Sequence, residues 1–254
     1  MDRQNRSIIN NLLTNWPRNT VSVSVWLEGQ GVYRQLAGTY VKSGWIERIG
    51  KGAFKRADEN VDWSGGLYTL QSQLNMSVHP AGKTSLQLLG SAHYLPANFK
   101  QAKIVLFGSK NEKLPEWFKN YKWNVDVRYV MTGLFGDEVG QGLTIYNSGN
   151  YEIKISSAER AVIELCYDVP IRESFDELDQ IMAGLTTLRP RIVQDLLEKC
   201  GSVKTKRLFM YLAERHDHSW VKKISLEKVD FGKGKRSLCS NGHYDSKYKI
   251  VVPK

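Results

Sequence analysis

The sequence predicts an α+β protein in two parts, and three observations carry that expectation. Residues 5–56 hold apolar stripes at helical spacing and end in two short strand-like runs around Gly50-Lys51-Gly52. Residues 103–155 change to strand-like runs separated by turn residues, and from Ser156 onward the apolar period is helical again. With 254 residues the chain can hold two modest domains, each with a core of its own. The expected division is 1–93 and 94–254.

In the N-terminal part, residues 5–15 place Ile8, Ile9, Leu12 and Leu13 on one helical face, and Pro17 stops that helix. Val25, Trp26 and Leu27 form a short amphipathic piece, followed by a turn at Gly29 and Gly31. A second helix is expected over 32–43, with Val32, Leu36, Ala37, Tyr40 and Val41 as its buried stripe. Strands at 45–49 and 53–56 flank Gly50-Lys51-Gly52, which offers the positive φ of a tight hairpin. Helix, turn, helix and basic hairpin is the order of a winged helix-turn-helix.

The polar face of the second helix carries Arg34, Gln35, Gly38, Thr39 and Lys42. A helix laid in the major groove of double-stranded DNA uses this inventory. Arg pairs bidentately with guanine, Gln with adenine, and a small or hydroxylated residue lets the backbone approach. Gly38 costs roughly 1 kcal/mol of helix propensity against Ala, which calls for a packing or close-approach reason. Arg48, Lys51, Lys55 and Arg56 sit on or beside the hairpin, within reach of flanking phosphates. A winged module used only for protein contacts is the alternative, and the basic hairpin argues against it.

Composition points the same way. Lys plus Arg number 36 against 26 Asp plus Glu, a net charge of +10 that favours a polyanionic partner. The excess is uneven: residues 1–57 hold nine Lys/Arg against three Asp/Glu, whereas residues 158–198 hold four against nine. The first six residues lack the apolar continuation of a secretory leader, and no apolar run reaches the roughly 18 residues that span a bilayer, so a cytoplasmic protein without a membrane partner is expected. Cys166, Cys200 and Cys239 show no C-x-x-C spacing and read as reduced thiols.

Further along, residues 65–74 (Leu67, Leu70, Leu74) and 81–89, ended by Gly90, read as helices. Gly82-Lys83-Thr84 resembles the end of a phosphate loop, but Ser77 stands where that loop needs its first glycine, and a helix N-terminus is the better reading. The stretch 91–100 is the expected domain boundary. Strands at 103–107, 125–132, 143–146 and 151–155, with a short helix at 114–118, suggest a mixed, curved sheet. Ser156 with Glu159, and Ser174 with Glu177, have capping-box spacing before helical stripes. Two more helices follow, after Pro190 and after Gly201, completing a small antiparallel helix array whose last member is expected to present Lys204, Lys206 and Arg207 to solvent. Strands at 221–231 and 248–252 close the chain around a glycine- and lysine-rich loop.

An enzyme reading stands beside this one. Asp126 or Asp137 with Glu152 and Lys154 spells the D…E-x-K arrangement of Mg²⁺-dependent nucleases, in which two carboxylates hold the metal. His216 and His218 lack the carboxylate or Cys partners of a metal site. A solvated strand face is the better reading of Glu152–Lys154, and no cofactor is expected.

Several stretches together resemble one family. SAERAVIELCYDVP (157–170), TLRPRIVQDLLEKCGSVKTKRLFMYLAE (187–214) and FGKGKR…NGHYDSKYKIVVP (231–253) are similar to the C-terminal signature of the AbiEi antitoxins of bacterial type IV, abortive-infection toxin–antitoxin systems. WLEGQGVYRQLAGTYVKSGWIERIGKGAF (26–54) and HPAGKTSLQLLG (79–90) resemble that family's N-terminal domain. The resemblance implies a winged helix that binds inverted repeats in the operon's own promoter. It also implies a C-terminal domain that counters a nucleotidyltransferase-like toxin without a stable complex. Carried over by position, the DNA-reading residues would be Arg34, Gln35, Thr39 and Lys42, with Arg48, Lys51 and Lys55 on the wing. The matching basic positions of the C-terminal domain are Lys204, Lys206, Arg207, Lys233, Lys235 and Arg236. Tyr33 departs from the small polar residue that relatives tend to carry at the start of the recognition helix, which weakens the N-cap.

Overall fold

Helix α1 (Arg3–Asn15) runs to the turn that contains Pro17, and Ile9, Leu12 and Trp16 are buried along it. The computed structural model describes residues 3–90, 103–136 and 140–254. The expected boundary at 91–100, and Asp137, lie outside the described residues. After α1 comes a short strand, β1 (Val21–Val23), buried at all three positions and therefore taken into a sheet ahead of the amphipathic piece. Helices α2 (Ser24–Gly29) and α3 (Arg34–Lys42) follow, then the hairpin β2 (Ile46–Gly50) and β3 (Ala53–Arg56). The strands form an antiparallel sheet in the order β1-β3-β2. Leu27, Val32, Leu36, Ala37 and Tyr40 close over α1 and over Ile46 and Phe54 of the sheet, which makes a winged helix with its own small core.

Helix α4 (Trp63–Ser72) starts two residues before its expected position because the Asp62 carboxylate accepts the Ser64 and Gly65 N–H groups at 2.9 and 3.0 Å. Then come β4 (His79–Pro80), α5 (Gly82–Leu88), β5 (Lys103–Ser109), α6 (Glu116–Asn120) and β6 (Asp126–Thr132). β6 lies parallel to β5, and β4 pairs antiparallel on the other side of β5. β7 (Leu143–Asn147) and β8 (Glu152–Ser156) form a separate hairpin, so the strands expected in one curved sheet divide between two. A side chain explains the break. The Gln71 amide donates to the Lys154 carbonyl at 2.8 Å and accepts the Lys154 N–H at 2.8 Å, taking the place of a neighbouring strand on β8.

The core beneath these elements crosses the expected division. Val21, Val23, Leu67 and Leu70 from the first part pack in one cluster with Leu106, Trp117, Phe118, Trp123, Ile153 and Ile155 from the second. Polar contacts reinforce the seam, with Ser64 and Tyr151 hydroxyls 2.7 Å apart and Asn150 donating to Asn19 at 3.0 Å.

Helices α7 (Ala158–Asp168), α8 (Phe175–Gly184), α9 (Pro190–Lys199) and α10 (Val203–Arg215) form the helix array around the largest core. Neither capping box forms. Ser156 instead donates to the Glu164 carboxylate at 2.8 and 3.0 Å, Glu159 accepts three bonds from Arg189, each 2.9 Å long, and Glu177 pairs with Lys83 at 2.6 Å. Charged partners from distant elements outcompete the local backbone donors. The run at 221–231, expected as a strand, makes two 3-10 turns, Val221–Lys223 and Leu226–Lys228. Its buried residues, Ile224 and Val229, are five apart, which is not the alternation of a half-buried strand. The chain ends in a small sheet of β9 (Arg236–Ser237), β10 (His243–Asp245) and β11 (Ile250–Val252), of which the first two were not legible as strands.

Glu159 makes acid stability a test of this packing. Burial would push its carboxyl up, but the Arg189 side-chain and backbone donors outweigh burial and hold it at about 2. A carboxyl depressed in the folded state contributes stability above its ordinary value and loses it as pH falls toward the folded one. Denaturant midpoints measured from pH 7 down to about pH 2 should therefore fall less steeply between about pH 5 and 2 for Glu159→Gln than for the parent chain. An identical acid limb in both would show that the Glu159–Arg189 clamp contributes nothing.

Candidate nucleic-acid interface

The α3–wing surface follows from how α3 is built. Leu36, Ala37 and Tyr40 face the core, which leaves Arg34, Gln35, Thr39 and Lys42 exposed. Gly38 lies on this open side, and a Cβ there would meet nothing within 4 Å. The glycine therefore has no packing reason within the chain. Tyr33 is the N-cap residue and offers no side-chain bond, as its size dictates, so the first turn of α3 lacks a side-chain cap. Tyr33 and Trp45, 57% and 43% exposed, bracket α3. Trp45 carried no functional signal in the sequence because a single aromatic after a helix reads as core.

The wing is fixed in place. Gly52 takes a φ of +71° at the hairpin turn, and a Cβ on Gly50 would fall 2.7 Å from Cβ of Trp117, so the base of the wing rests directly on α6. Arg48 lies over the Phe54 ring across the hairpin, 5.2 Å from its centroid, and Lys51 is exposed at the tip. Between wing and helix runs a groove of about 310 Å³ reached by Arg34, Arg48 and Lys51, with Glu28 as its one acid.

Lys55 and Arg56, expected to face phosphates, do not. Lys55 pairs with Glu47 at 2.7 Å and donates to the Glu59 carbonyl at 2.9 Å. Arg56 donates to the Trp16 carbonyl at 3.1 Å and approaches Glu59 at 3.5 Å. Adjacent on β3, they leave it on opposite faces, and each finds acceptors within the domain: Lys55 on β2 and the 57–60 turn, Arg56 at the end of α1 and on Glu59.

The C-terminal cations also divide. Lys204, Lys206 and Arg207, expected at the surface, are turned inward because α10 packs against α7 and α8. Lys204 donates to the Tyr167 carbonyl at 2.7 Å and to that of Val169, and burial pulls its ammonium below the ordinary value. Lys206 and Arg207 are only 4% and 1% exposed. Lys233 and Lys235 are exposed, and Arg236 is half-buried.

The remaining motifs are absorbed by the fold. Gly82 gives its N–H to Glu164, Lys83 pairs with Glu173 and Glu177, and Thr84 accepts the Val105 N–H, so the phosphate-loop look-alike is internal structure. His216 bonds Asp179 at 2.7 Å, while His218 bonds the Met182 carbonyl and stacks on Trp220. Burial pushes the Cys166 and Cys200 thiols up, which makes both poor nucleophiles. Asp126 lies in the β4-β5-β6 sheet beside Lys103, whereas Glu152 and Lys154 are exposed on the β7-β8 hairpin. Among the described residues no group of three or more His, Cys, Asp or Glu is placed to hold a metal ion, and no helix is long and apolar enough to cross a membrane.

A winged helix fused through a shared core to an α+β body defines a class of two-part winged-helix proteins. Within that class the sequence is decisive. Residues 5–97 match the model described as transcriptional regulator, AbiEi antitoxin N-terminal domain, and residues 101–253 match that of transcriptional regulator, AbiEi antitoxin, type IV toxin–antitoxin system. The chain belongs to the AbiEi antitoxin family of transcriptional regulators. Its fold is similar to the crystal structure of the RV2827C protein from Mycobacterium tuberculosis, at 14% identity and a TM-score of 0.57, over 99% of this chain and 92% of that one. No curated protein matches the chain.

The inward cations give a direct check. Lys55→Met should lower stability by about 1 kcal/mol, the scale of a partly buried ion pair with a charged hydrogen bond, whereas Lys51→Met should leave it within about 0.5 kcal/mol. Equal denaturant midpoints for the two variants would mean that Lys55 is not a structural residue.

Proposed function

We propose that this chain is a promoter-binding autorepressor and antitoxin, in which α3 reads inverted repeats of double-stranded DNA upstream of its own operon. The observation that carries the reading is the exposed face of α3, where Arg34, Gln35, Thr39 and Lys42 surround the open position at Gly38. Arg34 and Gln35 are the base readers, Thr39 and Lys42 flank them, and Arg48 and Lys51 on the wing hold phosphates beside the groove. Palindromic half-sites are read by two copies related by the operator's symmetry.

The part beyond residue 93 counters a nucleotidyltransferase-like toxin without forming a stable complex with it. The supporting fact is membership of a type IV antitoxin family. Its role is regulatory and requires no catalysis.

Substitution of the readers separates base contact from charge. Arg34→Ala or Gln35→Ala should cost about 1–3 kcal/mol on the cognate site and relax specificity there. Lys51→Ala should weaken all duplexes alike and reduce the slope of log affinity against log salt by about 0.9. Equal losses for Arg34→Ala on cognate and random duplexes, measured by fluorescence anisotropy, would overturn its assignment as a base reader.

A further inference from the structure

We propose that the loop at 231–236 is a phosphate-binding nest for the backbone of a single-stranded nucleic acid, with Tyr244 as the platform for one of its bases. The site starts from Arg207. Its Nε donates to the Phe231 carbonyl at 2.8 Å, Nη1 to those of Gly234 and Lys249 at 2.6 and 3.0 Å, and Nη2 to that of Gly232 at 3.0 Å. Arg236 Nη1 takes the two carbonyls between, Lys235 at 3.1 Å and Lys233 at 3.4 Å. Every carbonyl from Phe231 to Lys235 is thereby turned onto a guanidinium.

In a trans peptide the N–H points away from the C=O of the same plane. The carbonyls of Gly232 and Gly234 point at the buried Arg207, so the N–H groups of Lys233 and Lys235 point outward, on the side where both lysines are exposed. Gly232 and Gly234, at φ of +60° and +73°, permit this repeated reversal of the chain. Outward N–H groups from alternating left-handed positions form an anion-binding concavity. Lys233 and Lys235 add two exposed cations to this loop, and the acids beside it, Asp230 and Asp245, accept the Gly232 and Tyr248 N–H groups, each at 2.7 Å.

Tyr244 selects the kind of polyanion. Its side chain on β10 is 47% exposed, and Lys235 Nζ lies 5.3 Å from the ring centroid. A half-exposed aromatic ring with a cation over one face suits an unpaired strand, whose bases stack on aromatic side chains while cations follow the backbone. A duplex keeps its bases stacked inside and leaves this ring unused. The site is separate from α3 and does not rest on its assignment.

The test uses the full chain carrying Arg34→Ala and Lys51→Ala, so that α3 and the wing contribute least. Labelled oligo(U) and oligo(dT) of about 12 nucleotides, within the usual site sizes of single-strand binders, are titrated across a salt series by fluorescence anisotropy. Tyr244→Ala should weaken binding about 5- to 150-fold. Lys233→Ala with Lys235→Ala should lower the salt slope by about 1.4, at 0.7 for each phosphate contact on a single strand. All three residues are exposed, and unchanged thermal unfolding confirms intact folds. Oligonucleotide binding that is the same with and without these substitutions would overturn the proposal. So would a matching loss on a duplex of equal length, which would make the loop a duplex contact, or displacement of the strands by inorganic phosphate at equal concentration, which would make it a site for the free anion.

Discussion

Four elements meet on one buried carboxylate. Glu164, inside α7, accepts from His79 on β4 at 3.2 Å, from the Gly82 N–H at the start of α5 at 3.2 Å, from Ser156 at the end of β8, and from Arg160 one turn earlier at 2.8 Å. Those donors hold its carboxyl below the ordinary value although burial alone would push it up. A charge in this position is tolerated only with its donors in place. β4, α5, β8 and α7 are therefore tied to one another through a single group, and the two parts of the chain meet where those elements do. Arg160 extends the node by donating to the Gln141 carbonyl and lying over Phe135.

That junction determines how α3 is presented. Because the wing rests on Trp117 and Gln71 closes the edge of β8, the winged helix shares its support with the C-terminal body. The exposed face of α3 is carried on a braced scaffold, which is what the proposed placement of its side chains against base edges requires. The same economy appears in α10, where Arg207 organises a surface loop from inside the core.

Much of this was legible in the residues. The helices, the wing hairpin and the polar face of α3 follow from periodicity and glycine placement, and the AbiEi resemblance rests on stretches that run nearly the length of the chain. Charge direction was not legible. Lys55, Arg56, Lys204 and Arg207 look like surface cations because sequence shows a cation but not the carbonyls and carboxylates that distant elements bring to it. The capping boxes failed for the same reason, since Glu159 and Glu177 found charged partners elsewhere. Short strands such as β1 and β9 carry too few residues for a period to register, and their pairing is set by neighbours.

Sequence-reading through α3 is tested most directly by a salt series of binding to the DNA upstream of this protein's own gene, against a scrambled duplex of equal length. A preference of about a thousandfold or more for the upstream DNA at physiological salt is expected of specific recognition. Equal and steeply salt-dependent binding to both duplexes would contradict it, and would reduce the interface to a basic surface meeting a polyanion.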